Sequence, residues 1–202
     1  PAEILERWKS LSFDEAGFLE SAEIDAATAG ESGRTVLERT WSRPTLDVNG
    51  IFGGYTGAGA KTIIPSTCSA KISCRLVSGQ DPDSIERSLR TFIESRLPAG
   101  FSVEFESHGT NPAVIVPADS PWLTAATRGL AHAYEAPAAI IGSGGSIPAV
   151  GEIQDLLGID ALLVGFGLDE DRVHSPNEKF DLQCLRGGIR SHAAMLGAFA
   201  DA

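Results

Sequence analysis

Apolar and polar positions recur with two different periods along this chain, and each switch of period marks an element. Near the start, Ile4, Leu5, Trp8 and Leu11 share one helical face within a polar stretch that runs to about Gly33. Arg34 to Arg39 fits a short helix or a short strand, and periodicity does not choose between them. Pro44 to Ile51 alternates in the manner of a strand, as does the second half of Thr62 to Val77, through Ala70, Ile72, Cys74 and Leu76. A glycine-dense loop separates the two, holding Gly50, Gly53, Gly54, Gly57 and Gly59. Asp81-Pro82-Asp83-Ser84 is a helix start, and Ile85, Leu89, Phe92, Ile93 and Leu97 follow at helical spacing until Pro98-Ala99-Gly100. Phe101 to Glu106 alternates again. Strand, strand, helix, strand predicts a small α+β sandwich with helix on one sheet face.

The chain turns irregular and Pro-rich between Thr110 and Asp119, a plausible domain junction. Ser120-Pro121 opens a helix running to about Tyr134, with Leu123, Ala126, Leu130 and Ala133 on its buried face. Ala139 to Gly142 reads as a short buried strand, Ala149 to Leu157 as a helix, and Ala161 to Phe166 as a fully buried strand. A polar loop holding His174 leads to a last helix from about Leu182 to Phe199. Helices alternating with short apolar strands predict a three-layer α/β unit, so the fold class is α/β with an α+β sub-domain ahead of it.

Charge narrows the function classes. The 202 residues carry a formal net charge of -11 and no cluster of Lys or Arg, which disfavours nucleic acids and anionic membrane surfaces as partners. No apolar run approaches the roughly 20 residues that cross a bilayer. The opening Pro1-Ala2-Glu3-Ile4 has no signal-peptide character and reads as a cut inside a longer protein. Cys68, Cys74 and Cys184 form no Cys-x-x-Cys and read as reduced thiols of a cytoplasmic protein.

Three glycine-rich stretches invite a nucleotide or nucleophile reading and fail it. Before Lys61-Thr62, Ala60 and Tyr55 stand where a phosphate-cradling loop needs glycine. Gly142 to Ile147 lacks the third glycine of the dinucleotide fingerprint. In Gly144-Gly145-Ser146-Ile147-Pro148, proline replaces the closing glycine of a nucleophile elbow. The informative stretch is Gly165-Phe-Gly-Leu-Asp-Glu-Asp-Arg-Val-His174-Ser-Pro-Asn-Glu-Lys179. It places a histidine in a polar loop just after a buried strand, at the sheet edge where ligand and metal sites collect.

His174-Ser175-Pro176-Asn177-Glu178-Lys179, preceded by Gly165-Phe166-Gly167, resembles the last metal-binding motif of the co-catalytic dinuclear zinc peptidases. That family includes carnosinases, carboxypeptidase G, aminoacylase and succinyl-diaminopimelate desuccinylase. Further segments resemble its dipeptidase branch in the same order: Arg43 to Gly50, Gly57 to Pro65, Ala70 to Val77 with Gln80-Asp81-Pro82, and Gly144 to Pro148. The resemblance runs from about Phe13 to the end. It implies a lid or dimerisation sub-domain over residues 1–112, interrupted at its start, and the C-terminal part of a three-layer catalytic domain over 113–202.

The same resemblance implies roles for single residues. His174 would bind one of two zinc ions, Arg75 the substrate carboxylate, and Thr62 the substrate in a neighbouring subunit's site, while Gly145 and Ser146 would line the pocket. The substrate would be a small peptide or N-acyl amino acid, and the lid would form a homodimer. Asn177 and Glu178 would structure the loop. Relatives of the carnosinase kind carry Arg-Glu where this chain has Gly142-Ser143, so contacts made there do not transfer. The family's His-x-Asp, bridging Asp and Glu-Glu pair are absent from these 202 residues, and so is the general base; the chain alone is expected to be inactive. Two rival readings are a non-catalytic dimerisation or binding module derived from such a peptidase, and a serine hydrolase using Ser146 with His174.

Overall fold

A computed structural model describes residues 2–24, 31–144 and 147–202. The chain divides into two compact units, one made of residues 29–113 and the other of 1–28 with 114–202.

In the 29–113 unit, local signals set the helices. Helix α3 (Val36–Ser42) begins with a reciprocal capping box in which Thr35 Oγ1 accepts the Glu38 amide at 3.2 Å and Glu38 accepts the Thr35 amide at 2.9 Å. This settles the ambiguous Arg34–Arg39 stretch as helix. Strands β1 (Thr45–Gly53) and β2 (Cys68–Arg75) pair antiparallel, from Thr45 opposite Arg75 to Gly53 opposite Cys68. Between Val48 and Gly50 the register shifts, and Asn49 is the extra residue of a bulge. Leu46, Val48 and Ile51 therefore face the same side as Cys74, Ile72 and Ala70, although 48 and 51 differ in parity. The other side carries Thr45, Asp47, Lys71 and Arg75.

Helix α4 (Pro82–Glu94) starts where Asp81 Oδ2 accepts the Ser84 amide at 3.0 Å. Ile85, Leu89 and Ile93 are half-buried along one face. The segment after α4 lies beside it, with Arg90 over the Phe105 ring at 4.7 Å and Ser107 donating to Glu86 at 3.2 Å. Val103 and Phe105 are half-buried between exposed neighbours, so the expected alternation is present. No ladder forms there.

The second unit is helical: α1 (Ala2–Lys9), α2 (Glu15–Ser21), α5 (Pro121–Tyr134), α6 (Pro148–Leu157) and α7 (Leu182–Ala200). Trp8 is 8% exposed and its indole N–H reaches the Ile140 carbonyl at 3.3 Å, which ties α1 to the 139–142 segment. The sequence division at 112/113 groups residues 1–28 with the preceding sub-domain, whereas here they pack with 114–202. Helices α5 and α7 run antiparallel: Trp122 meets Phe199 edge-on at 5.9 Å, and Gly129 faces Met195. Tyr134 lies against Gly187. Arg128 donates to the Ala198 carbonyl at 3.0 Å, and Ser191, fully buried, returns its hydroxyl to the Gly187 carbonyl at 2.8 Å.

The expected strands at Phe101–Glu106, Ala139–Gly142 and Ala161–Phe166 are not strands among the described residues. A strand is completed by a neighbour that exchanges backbone hydrogen bonds with it, and no described segment supplies one at these places. Residues 161–166 form no regular element and lead to α7, where Phe166 packs on Gly188.

The α5–α7 crossing is close because Gly129 has no side chain. A Cβ there would stand 2.8 Å from the Met195 Cα and 2.9 Å from its backbone nitrogen, so a helix backbone would have to shift. Gly129→Ala is expected to lower stability by about 1–2 kcal/mol, the strain of an overpacked core exceeding the roughly 1 kcal/mol gained in helix propensity. Gly197→Ala, on α7 with nothing within 4 Å of its Cβ, should be neutral or stabilising. Urea denaturation midpoints of the two variants check the contrast.

Candidate functional site

The His174 loop is built from its flanks inwards. Gly165 to Leu168 bring the chain into the loop, and a 3-10 turn at Asp169–Asp171 follows. Asp171 is only 1% exposed. Its Oδ2 accepts the Leu168 amide at 2.8 Å, and its Oδ1 accepts the Lys179 ammonium at 3.1 Å. The Lys179 amide in turn donates to the Asp171 carbonyl at 3.0 Å, and its ammonium also reaches Glu170 at 3.0 Å. Lys179 thus closes the loop through both main chain and side chain, eight residues after Asp171.

Inside this closure the backbone turns sharply. Arg172, His174 and Asn177 all take left-handed conformations, with φ of 54°, 62° and 61°. Ser175 donates its amide to the Arg172 carbonyl at 2.9 Å, and Glu178 donates to that of Ser175 at 3.2 Å. His174 is exposed at the turn. Its ring makes no hydrogen bond among the described residues.

The remaining expected site residues lie on other elements. Arg75 ends β2 opposite Thr45 and is exposed on the polar sheet side. Thr62 is exposed in the β1–β2 loop, where Tyr55 donates to the Ala58 carbonyl at 3.2 Å and Lys61 stands 5.3 Å from the Tyr55 ring. Arg75 and Thr62 belong to the 29–113 unit and His174 to the other. Gly145 and Ser146 lie outside the described residues, and so does any pairing of Ser146 with His174. All three cysteines are free. Burial pushes the Cys74 thiol up, and the Asp47 carboxylate adds to the effect, so this thiol is a poor nucleophile.

An exposed imidazole is competent as one metal ligand. A metal centre needs more, and among the described residues no group of three His, Cys, Asp or Glu side chains converges. A complete metal site is therefore not formed by the described residues alone.

Comparison with known proteins decides the family. Residues 2–100 match the model of the peptidase dimerisation domain, a span that begins ahead of the compact 29–113 unit. The Cys-Gly metallodipeptidase of Saccharomyces cerevisiae is 28% identical over 192 residues, covering 89% of this chain and 39% of its own length. An M20 family metallo-carboxypeptidase from Sulfolobus solfataricus superposes with a TM-score of 0.85 at 27% identity, over 100% of this chain and 46% of that one. Residues 2–100 belong to the M20 peptidase dimerisation-domain family, and the chain as a whole is similar to M20 metallopeptidases. The human Beta-Ala-His dipeptidase is 25% identical over 196 residues, across 95% of this chain and 38% of that protein. The chain spans about two-fifths of the length of the curated relatives it matches. The mixed helix-and-strand class expected from sequence agrees with these neighbours. No helix among the described residues is long and apolar enough to cross a membrane.

Sequence reasoning gave the loop-structuring role to Asn177 and Glu178. The structure adds Asp171, which looked in sequence like one acid in the run Asp169-Glu170-Asp171. Its separation of eight from Lys179, across a turn-rich stretch, was the available signal.

The loop closure carries a pH dependence. The Leu168 amide, and then Lys179, hold the Asp171 carboxyl below its ordinary range despite burial. Glu170 first and Asp171 second raise the Lys179 ammonium above its own. A depressed carboxyl stabilises the fold above its unfolded value, about 3.9, and that contribution is lost as pH falls through the folded value. A raised lysine contributes below about 10.4 and is lost as pH rises through the folded value. Protection of the Leu168 amide against hydrogen exchange should accordingly be flat between about pH 5 and pH 9 and fall at the acid end first through Asp171. Loss of protection centred near neutrality would contradict this assignment.

Proposed function

We propose that this chain serves a metal-dependent peptidase that hydrolyses dipeptides or N-acyl amino acids. Residues 29–112 contribute the lid through which two copies pair, and residues 113–202, with the segment 1–28 that packs with them, contribute the closing part of the catalytic domain. The observation that carries this reading is the exposed His174 on a closed loop, in a chain whose family motifs occur in the family's order. The relatives' activities, on Cys-Gly and Beta-Ala-His, support a dipeptide substrate.

In this reading Arg75 grips the substrate's free carboxylate. A planar, permanently charged fork on a sheet side shared with Thr45, Asp47 and Lys71 suits that task, which a lysine would perform less specifically. Thr62 contacts the substrate of the partner copy, and Gly145 and Ser146 line the pocket. His174 supplies one imidazole ligand to a zinc pair. Zinc, when bound, polarises the scissile carbonyl and lowers the pKa of a water molecule. The other ligands and the general base lie outside these 202 residues. Free thiols and the acidic surface fit a reducing, cytoplasmic setting.

Two measurements test the proposal. The 202-residue chain alone should bind zinc no better than its His174→Ala variant in calorimetric titration, and should release no amino acid from dipeptides. Stoichiometric zinc binding that disappears in the variant would overturn the division of ligands. In the complete peptidase, Arg75→Met should lower kcat/KM for dipeptides roughly 10- to 100-fold, as expected for a lost charge-assisted hydrogen bond. The variant should also lose the preference for a free C-terminal carboxylate over its amide. An unchanged preference would remove Arg75 from the substrate site.

A further inference from the structure

We propose that Asp171 is a positioning residue for His174, holding the backbone that presents the imidazole. The inference rests on the reading of His174 as a site residue and deepens it. His174 has no hydrogen-bond partner of its own among the described residues, so nothing but its backbone fixes where the ring stands. That backbone is left-handed at residue 174 and again at Arg172 and Asn177. Non-glycine residues leave this region readily unless their surroundings hold them there.

The holding contacts converge on one side chain. Both carboxylate oxygens of Asp171 are engaged, one by the Leu168 amide at 2.8 Å ahead of the loop and the other by the Lys179 ammonium at 3.1 Å behind it. The Asp171 carbonyl takes the Lys179 amide at 3.0 Å. The internal turn bonds, Ser175 to Arg172 and Glu178 to Ser175, each span three residues and do not join the ends of the loop. Asp171 is 1% exposed while His174 is open to solvent, so a buried anchor governs an exposed functional group. Buried carboxylates with every oxygen engaged are poorly replaced by a neutral isostere, because Asn keeps one acceptor and turns an N–H towards the lysine.

The four histidines make this testable in the 202-residue protein, since His108, His132 and His192 are internal references in an imidazole Cε1–Hε1 spectrum. Asp171→Asn is expected to shift or broaden the His174 resonance and leave the other three in place. It should also speed amide exchange at Leu168 and Lys179 roughly tenfold or more. Lys179→Met, at a half-exposed position, should move the same resonance less. The double variant should fall short of the sum of the two effects, because the substitutions share the Asp171–Lys179 contact. An unmoved His174 resonance with unchanged exchange in Asp171→Asn would overturn the proposal. If that variant fails to fold, Lys179→Met decides: a fixed His174 resonance there overturns it equally. Should the loop respond as expected while His174→Ala leaves hydrolysis by the complete peptidase intact, the site reading fails and the anchoring geometry stands.

Discussion

The tightest physical constraint in the helical unit is the approach of two helix backbones where Gly129 meets Met195. Helices with ordinary side chains between them sit 8–10 Å apart, and a missing Cβ permits less. Once α7 is drawn in, its small-residue face becomes a set of seats. Gly187 receives Tyr134, Gly188 receives Phe166, and Ser191 is buried with its hydroxyl turned back on its own helix. Phe166 stands shortly before the His174 loop. The chain of dependence therefore runs from a glycine on α5, through α7, to the start of the candidate site. His192 takes part as a packing residue: its ring lies 5.7 Å from Phe166, and Nδ1 is 2.7 Å from the Gly188 carbonyl.

The two units present their functional side chains in different ways. Arg75 stands at the end of a strand whose pairing with Thr45 fixes its side of the sheet. Strand side chains alternate rigidly, so the polar face is a consequence of register alone. His174 stands in a loop, where no ladder constrains it, and the constraint comes from a buried carboxylate instead.

Much of this was legible in the sequence, and the gaps have physical causes. The helices at 82–94, 121–134 and 182–200 followed from periodicity and from start signals such as Asp81-Pro82 and Ser120-Pro121. Helix α3 was missed as a definite helix although Thr35-x-x-Glu38 is a capping-box pattern, a signal local enough to have decided it. Helix α2 is seven polar-rich residues with no buried side chain, and offered no stripe to detect. At 101–106 the alternation matches the half-buried Val103 and Phe105 but not Phe101, which is 71% exposed. Pairing is a property of two segments, and one segment's pattern cannot guarantee the other. Of the candidate site, the exposed histidine was readable from its motif. The anchor beneath it was not, because burial of Asp171 is decided by where the chain returns at Lys179.

The bulge at Asn49 has a consequence for how relatives of this chain should be aligned. One surplus residue exchanges the two sides of the sheet for everything downstream of it in β1. A relative lacking that residue would carry the same apolar surface with its hydrophobic letter at 50 instead of 51. Position-by-position scoring would register the two as dissimilar across half a strand while their surfaces remained equivalent. A gap placed at Asn49 restores the correspondence, so the useful unit of comparison in this strand is the side of the sheet.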